Sequence, residues 1–166
     1  AATRAAPDGS IVLLEQQDRS AWDQSLIAEG TALAELAFAR PPVGTYTIQA
    51  MIAASHAAAR TASATDWPRL AGFYALLLRA EPTPVVALNR AVAIAMRDGP
   101  EAGLRLIDPL AAGELAGYRF AHAARADLLR RLGRVEDART AYAHTLELTQ
   151  QTSERNFIEK RLRELD

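Results

Sequence analysis

The sequence predicts an all-α fold of antiparallel helix hairpins. Ala and Leu together make up about a third of the 166 residues, and both are strong helix formers. Proline and glycine are concentrated in short links between longer segments that favour helix,. The chain contains no Cys, and its length is sufficient for a continuous core without disulfides. Helices joined by such short links are expected to be antiparallel neighbours.

Eight helices are expected, each bounded by a cap, a proline or a glycine. Ser20 with Asp23 resembles a capping box before the first helix, and Asp66 and Thr83 are expected to cap the third and fourth. Gly133 is the expected residue just after the sixth helix. In chain order the helices are expected at 21–39, 46–60, 66–80, 85–97, a segment from Pro100 with a bend at Pro109, 118–132, 135–149, and a segment from a cap at Ser153 to Leu165.

A spacing of 34 residues relates parts of the chain to one another. Gly99 and Gly133 lie 34 residues apart, each in a turn between two expected helices, and this is the period of a tetratricopeptide repeat. In this register the repeats are 51–84, 85–118 and 119–152, and 153–165 is a charged capping helix. The pattern resembles a tetratricopeptide-like right-handed solenoid.

The register assigns packing roles to particular residues. The small residue at a helix contact falls on Ala58, Val92 and Ala126, and the apolar residue of the second helix falls on Leu70, Leu104 and Ala138. The aromatic position is Tyr74 in the first repeat and Tyr142 in the third, whereas the middle repeat has Asp108. With Trp22 and Trp67, each close behind a polar cap, these two tyrosines are the expected structural anchors.

The first ten residues suggest a part of a larger protein. Residues 1–10 are small and nearly uncharged and are interpreted as a flexible linker arm from upstream regions, with residues 11–166 forming one helical domain. No signal peptide or membrane span is recognisable, which favours a cytoplasmic location. The net charge of −1 does not favour direct binding to DNA or to an anionic membrane.

The sequence does not predict an enzyme. It shows no nucleophile with a neighbouring base, no phosphate-binding loop and no metal-ligand spacing. His56, His122 and His144 are isolated in sequence, although His122 and His144 could approach each other within one hairpin. No catalytic, cofactor or metal site is therefore expected.

A ligand groove is the main functional hypothesis that comes from the register. The first helix of each repeat lines the concave face of such a solenoid, and polar residues on these helices suit a carboxylate or an extended acidic peptide. The alternative is that they are ordinary solvated or interhelical side chains. The candidate groove residues are Ser55, His56, Asn89, Arg90, Arg97, Asp127 and Arg130, with Ala123 and Ala124 keeping the third repeat open.

Several ordered motifs carry a more specific resemblance. They are residues 13–23, 46–57, 65–67 with Tyr74, 83–93 and 122–133. From about residue 11 to the end, the chain resembles the carboxy-terminal extension of a group of bacterial extracytoplasmic-function sigma factors. In that group a tetratricopeptide-like extension follows two promoter-reading regions, and genes for small DGPF-type proteins are common neighbours.

The resemblance implies a non-catalytic regulatory or protein-interaction domain of an alternative sigma factor. Its partners would be the sigma regions of the same polypeptide and RNA polymerase through the full-length protein, with a small DGPF-type protein as a further candidate. The polymerase-binding helices and the helix-turn-helix are not in this sequence, so it is not expected to bind DNA itself. The alternative from another class is a small-molecule sensor that uses the concave groove.

Overall fold

A computed structural model describes residues 17–165 of the chain. This part is all-α, as the sequence predicts, with eight α-helices and two 3-10 turns at Arg19–Ala21 and Ala62–Ala64. The expected arm, 1–10, lies outside the described residues. The helices are α1 Gln24–Phe38, α2 Thr45–Ala58, α3 Trp67–Ala80, α4 Pro84–Asp98, α5 Pro100–Ala112, α6 Arg119–Arg131, α7 Val135–Glu147 and α8 Thr152–Arg163.

Three helix ends follow local capping rules as the sequence predicts. The carboxylate of Asp66 accepts a hydrogen bond from the amide of Arg69 at 2.9 Å, and the hydroxyl of Thr83 accepts one from the amide of Val86 at 3.3 Å. Gly133 follows α6 with a φ of 71°, a conformation that glycine adopts without the steric cost of a Cβ. These three predictions are confirmed.

Two predicted caps are wrong. Asp23 rather than Ser20 caps α1, because its carboxylate accepts from the amide of Leu26 at 3.0 Å. Ser20 lies in the preceding 3-10 turn, where its amide and hydroxyl both donate to Asp18. At the other end, α8 begins at Thr152 after Gln151, so Ser153 is inside the helix rather than at its cap.

The residues described form two compact units, 17–90 and 91–165. In the first unit α1 packs on α2 and α2 packs on α3. The rings of Phe38 and Phe73 meet edge to face with centroids 5.4 Å apart. The expected contact residue Ala58 is exposed, and its neighbour Ala59 is buried instead, because one residue turns a helix by about 100°. The core side chains of this unit include Ala34, Ile48, Met51, Leu70, Phe73 and Leu77.

In the second unit α5 packs on α6, α6 packs on α7, and α7 packs on α8. Small residues allow close approach: a Cβ on the buried Gly103 would collide with the side chains of Ala95 and Leu128. Leu104, Ala126 and Ala138 are buried, as the 34-residue register predicts. Packing between consecutive helices is the arrangement that a helical solenoid requires.

None of the helices in residues 17–165 has the length and the apolar character needed to cross a membrane.

Candidate functional site

The predicted groove residues of the first unit lie in different environments. Ser55 is only 8% exposed, and its hydroxyl donates to the carbonyl of Met51 at 2.7 Å, so it is held inside the helix packing. His56 is half-buried. On α4, Asn89 is exposed and Arg90 is half-buried. Adjacent residues in the expected groove are therefore not equally accessible.

Arg19 is a buried cation whose distant partners the sequence does not reveal. It is 6% exposed, and its Nη1 donates to the carbonyl oxygens of Ala59 at 2.8 Å and His56 at 3.2 Å. Its guanidinium also lies 5.3 Å from the ring centroid of Trp22. A cation at this position satisfies carbonyls that the end of α2 leaves without intrahelical partners. Arg19 therefore joins the segment before α1 to the end of α2.

The ring of His56 lies beside this cation. It meets the indole of Trp67 edge to face at a centroid distance of 5.8 Å, and its Nδ1 is a buried atom without a hydrogen-bond partner in the part of the chain that is described. Burial lowers the pKa of His56, and the charge of Arg19 lowers it further. The neutral imidazole is therefore the form that the folded protein favours.

The expected aromatic anchors occupy packed positions. Trp22 and Trp67 are half-buried against Arg19 and His56. Tyr74 is also half-buried, and burial raises its pKa. Tyr142 in α7 is only 3% exposed. These environments suit packing roles for all four side chains.

The predicted groove residues of the second unit are already paired. Arg97 donates to both carboxylate oxygens of the adjacent Asp98, at 2.8 and 2.6 Å. Arg130 donates to Asp127 at 2.7 Å, and this hydrogen bond raises the pKa of Arg130. Burial raises the pKa of Tyr142, and the charge of Arg130 acts in the opposite direction. A ligand at these positions would compete with existing carboxylate partners.

The two histidines of the α6–α7 hairpin do meet. The ring centroids of His122 and His144 are 4.3 Å apart at an interplanar angle of 88°. Nε2 of His122 donates to the carbonyl of Ala116 at 2.8 Å, and Nδ1 of His144 lies 3.1 Å from the carboxylate of Glu147. Within residues 17–165, no group of three or more His, Cys, Asp or Glu side chains is arranged to hold a metal ion.

A group of exposed leucines on α1 lies outside every site that the sequence predicts. Leu26, Leu33 and Leu36 are 64%, 59% and 50% exposed, the three most exposed leucines of the described chain. The sequence signal was present, because α1 has apolar residues on more than one side while only one side can pack on α2.

Comparison with known proteins places this chain beside proteins without an assigned activity. Residues 1–38 match a family of unknown function, DUF6596. An uncharacterized protein of Rhizobium meliloti (strain 1021), R00370, is 44% identical over 156 residues. That alignment covers 93% of this chain but 36% of the relative, so the chain spans about a third of the relative's length. No solved structure matches the chain significantly.

Proposed function

We propose that this chain is a non-catalytic regulatory domain of an alternative sigma factor. In this proposal it modulates transcription initiation in the cytoplasm through the sigma regions of the same polypeptide or through a protein partner such as a small DGPF-type protein. The observation that carries the proposal is the ordered series of motifs in residues 13–23, 46–57, 65–67, 83–93 and 122–133. A relative that is nearly three times as long as the aligned part is compatible with a domain attached to further regions.

The positions of the motif residues support a common architecture. Arg19 and Asp23 fix the segment before α1 and its first turn. Asp66 and Thr83 cap α3 and α4, and His122 holds the turn before α6 through the carbonyl of Ala116. A protein that shares these residues in this order should share the same helix ends. The proposal extends that shared architecture to a shared regulatory role.

A promoter-reporter assay in bacterial cells tests the proposal. The complete polypeptide is compared with a form that lacks α1–α8 and with an Asn89→Ala, Arg90→Ala double variant, at equal protein levels by immunoblot. We expect both changes to alter reporter output, because Asn89 and Arg90 make no side-chain hydrogen bond or ion pair within residues 17–165 and are free for a partner. The matched control is Glu101→Ala, Arg105→Ala, two exposed positions on α5, which should leave output unchanged.

Two results would count against the proposal. Unchanged output after removal of α1–α8 would show that these helices do not regulate transcription. A rise in melting temperature with a small metabolite, and none with any protein partner, would favour the small-molecule sensor instead, because a ligand that binds only the folded state stabilises it.

A further inference from the structure

The outward side of α1 carries three exposed leucines grouped around one exposed glutamate. We define the α1 outer face as Leu26, Glu29, Leu33 and Leu36. At about 100° per residue these four side chains fall within an arc of roughly 80° on the helix. All four are exposed, and Gly30 beside them would have open space around a Cβ. Leucines grouped in this way on a protein surface usually mark an interaction site.

The opposite side of α1 accounts for its packing within the fold. Ala34 is buried, and Ile27, Thr31 and Phe38 are partly buried on the side that packs against α2. These residues lie at least about 80° around the helix from the leucines of the outer face. Within the described chain, the outer face is therefore not needed for the contact between α1 and α2.

The charges of α1 limit which kinds of partner can bind its outer face. The acidic side chains of α1 are Glu29 and Glu35, and the helix contains no Lys or Arg. Glu35 lies on another side and pairs with Arg69 at 3.6 Å. Viewed down the helix axis, Glu29 lies between Leu33 and Leu36 on the outer face. It has no ion-pair partner in residues 17–165. The surface is therefore apolar with one uncompensated negative charge near its middle.

A second copy of the chain fits this surface poorly. An antiparallel pairing that sets Leu26 of one α1 against Leu33 of the other would bring the two Glu29 carboxylates together, and like charges at an interface oppose association. An anionic membrane surface is disfavoured for the same reason. A helix with a leucine-rich face and a Lys or Arg beside it would satisfy both the apolar area and the charge of Glu29.

We propose that the α1 outer face receives a basic amphipathic helix from another part of the same polypeptide. The inference rests on the proposed function, in which this chain is one domain of a longer protein. The length of the Rhizobium relative, of which the alignment covers 36%, is compatible with such a part. A helix tethered in the same chain has a high effective concentration, so a face of three leucines and one carboxylate suffices to hold it.

Site-specific photo-crosslinking in the complete polypeptide tests the contact. A benzophenone amino acid replaces Leu33 in one variant and Ala28 in the control. Ala28 is exposed on the same helix, at least about 80° from every residue of the outer face. We expect position 33, and not position 28, to cross-link within one polypeptide to a Lys- or Arg-containing helix outside residues 1–166. Cross-links between two copies, to a separate protein or only within residues 1–166, or none at all, would overturn the proposal.

Charge variants give an independent readout in the same cross-linking assay. Glu29→Lys should lower the cross-linked fraction about tenfold by placing two cations together, whereas Ala28→Lys should change it less than twofold. An equal effect of the two substitutions would overturn the role of Glu29. Circular dichroism of both variants verifies that the helices are retained.

The regulatory role and the docking contact on α1 can be rejected independently of each other. Cross-links from position 33 without any effect on the promoter reporter would retain the docking contact and reject the regulatory role. A reporter that responds to loss of α1–α8 without cross-links from position 33 would retain the regulatory role and reject this surface.

Discussion

Replacing Arg19 with Met should destabilise the unit of residues 17–90 by about 2–3 kcal/mol. The substitution keeps most of the apolar stem and removes the guanidinium. The lost hydrogen bonds run to the carbonyls of Ala59 at 2.8 Å and His56 at 3.2 Å. A hydrogen bond with a charged donor contributes about 1.5–3 kcal/mol, and a cation at a helix end adds about 0.3–1 kcal/mol.

Part of this contribution is offset in the native protein. Nε of Arg19 is buried without a hydrogen-bond partner in the described part of the chain, and an unsatisfied buried donor costs about 1–3 kcal/mol. Met removes that cost and retains apolar contacts. The net loss is therefore smaller than the sum of the two hydrogen bonds and the helix-end interaction.

Urea unfolding, monitored by tryptophan fluorescence, measures the change in stability of residues 17–90. The chain has two Trp residues, Trp22 and Trp67, and both belong to residues 17–90. Far-ultraviolet circular dichroism checks that the change is not confined to the fluorescence of Trp22. The control is Arg69→Met, because this exposed arginine is 3.6 Å from Glu35 and such a pair contributes under about 1 kcal/mol.

The same variant should change the titration of His56. Since the charge of Arg19 helps to lower the pKa of His56, Arg19→Met should raise that pKa in an NMR titration. A loss of stability below about 0.5 kcal/mol, or one equal to that of Arg69→Met, would refute the assignment of Arg19 as a helix-end cation.

Further substitutions test the packing and the pH dependence. Because the pKa of His56 is lowered from 6.5 in the folded chain, the unfolded chain binds the proton more readily, and stability should fall as pH decreases below about 6.5. His56→Phe should weaken this fall in urea titrations, and equal slopes for His56→Phe and wild type would disprove the role of His56. Gly103→Ala should cost more than about 2 kcal/mol, since its Cβ would collide with neighbouring side chains,, whereas Gly30→Ala on the exposed side of α1 should stabilise by about 0.5–1 kcal/mol. Thermal melts compare the two alanine variants with wild type, and a loss below about 0.5 kcal/mol for Gly103→Ala would contradict the close packing.

Features governed by neighbouring residues could be predicted from the sequence. A cap acts within three residues, so Asp66 and Thr83 were recognisable from their own surroundings. The 34-residue period added the burial of Leu104 and Ala138, because equivalent positions of stacked hairpins face the same way. The predicted cap at Ser20 is wrong because Asp18, two residues earlier, accepts hydrogen bonds from the amide and the hydroxyl of Ser20.

Features that depend on distant contacts or on the exact rotation of a helix could not be predicted. Arg19 bonds to carbonyls 37 and 40 residues away, and no local pattern marks that pairing. Ser55 and Ala58 illustrate the second difficulty. A shift of one residue turns a side chain by about 100°, so a register that identifies the correct helix can still assign the wrong side of it.

The local pairing of charges favours the α1 outer face over the predicted groove as the first place to look for a partner. Arg97 and Arg130 each have a carboxylate already bonded to them, so an incoming acidic ligand must displace that carboxylate and gains correspondingly less. Asn89 and Arg90 remain for a groove mechanism, whereas Glu29 and three exposed leucines are grouped on one side of α1. We therefore expect Leu33→Glu to change promoter output more than the Asn89→Ala, Arg90→Ala double variant at equal protein levels. The reverse order would show that regulation acts through α4 and leave α1 without a regulatory role.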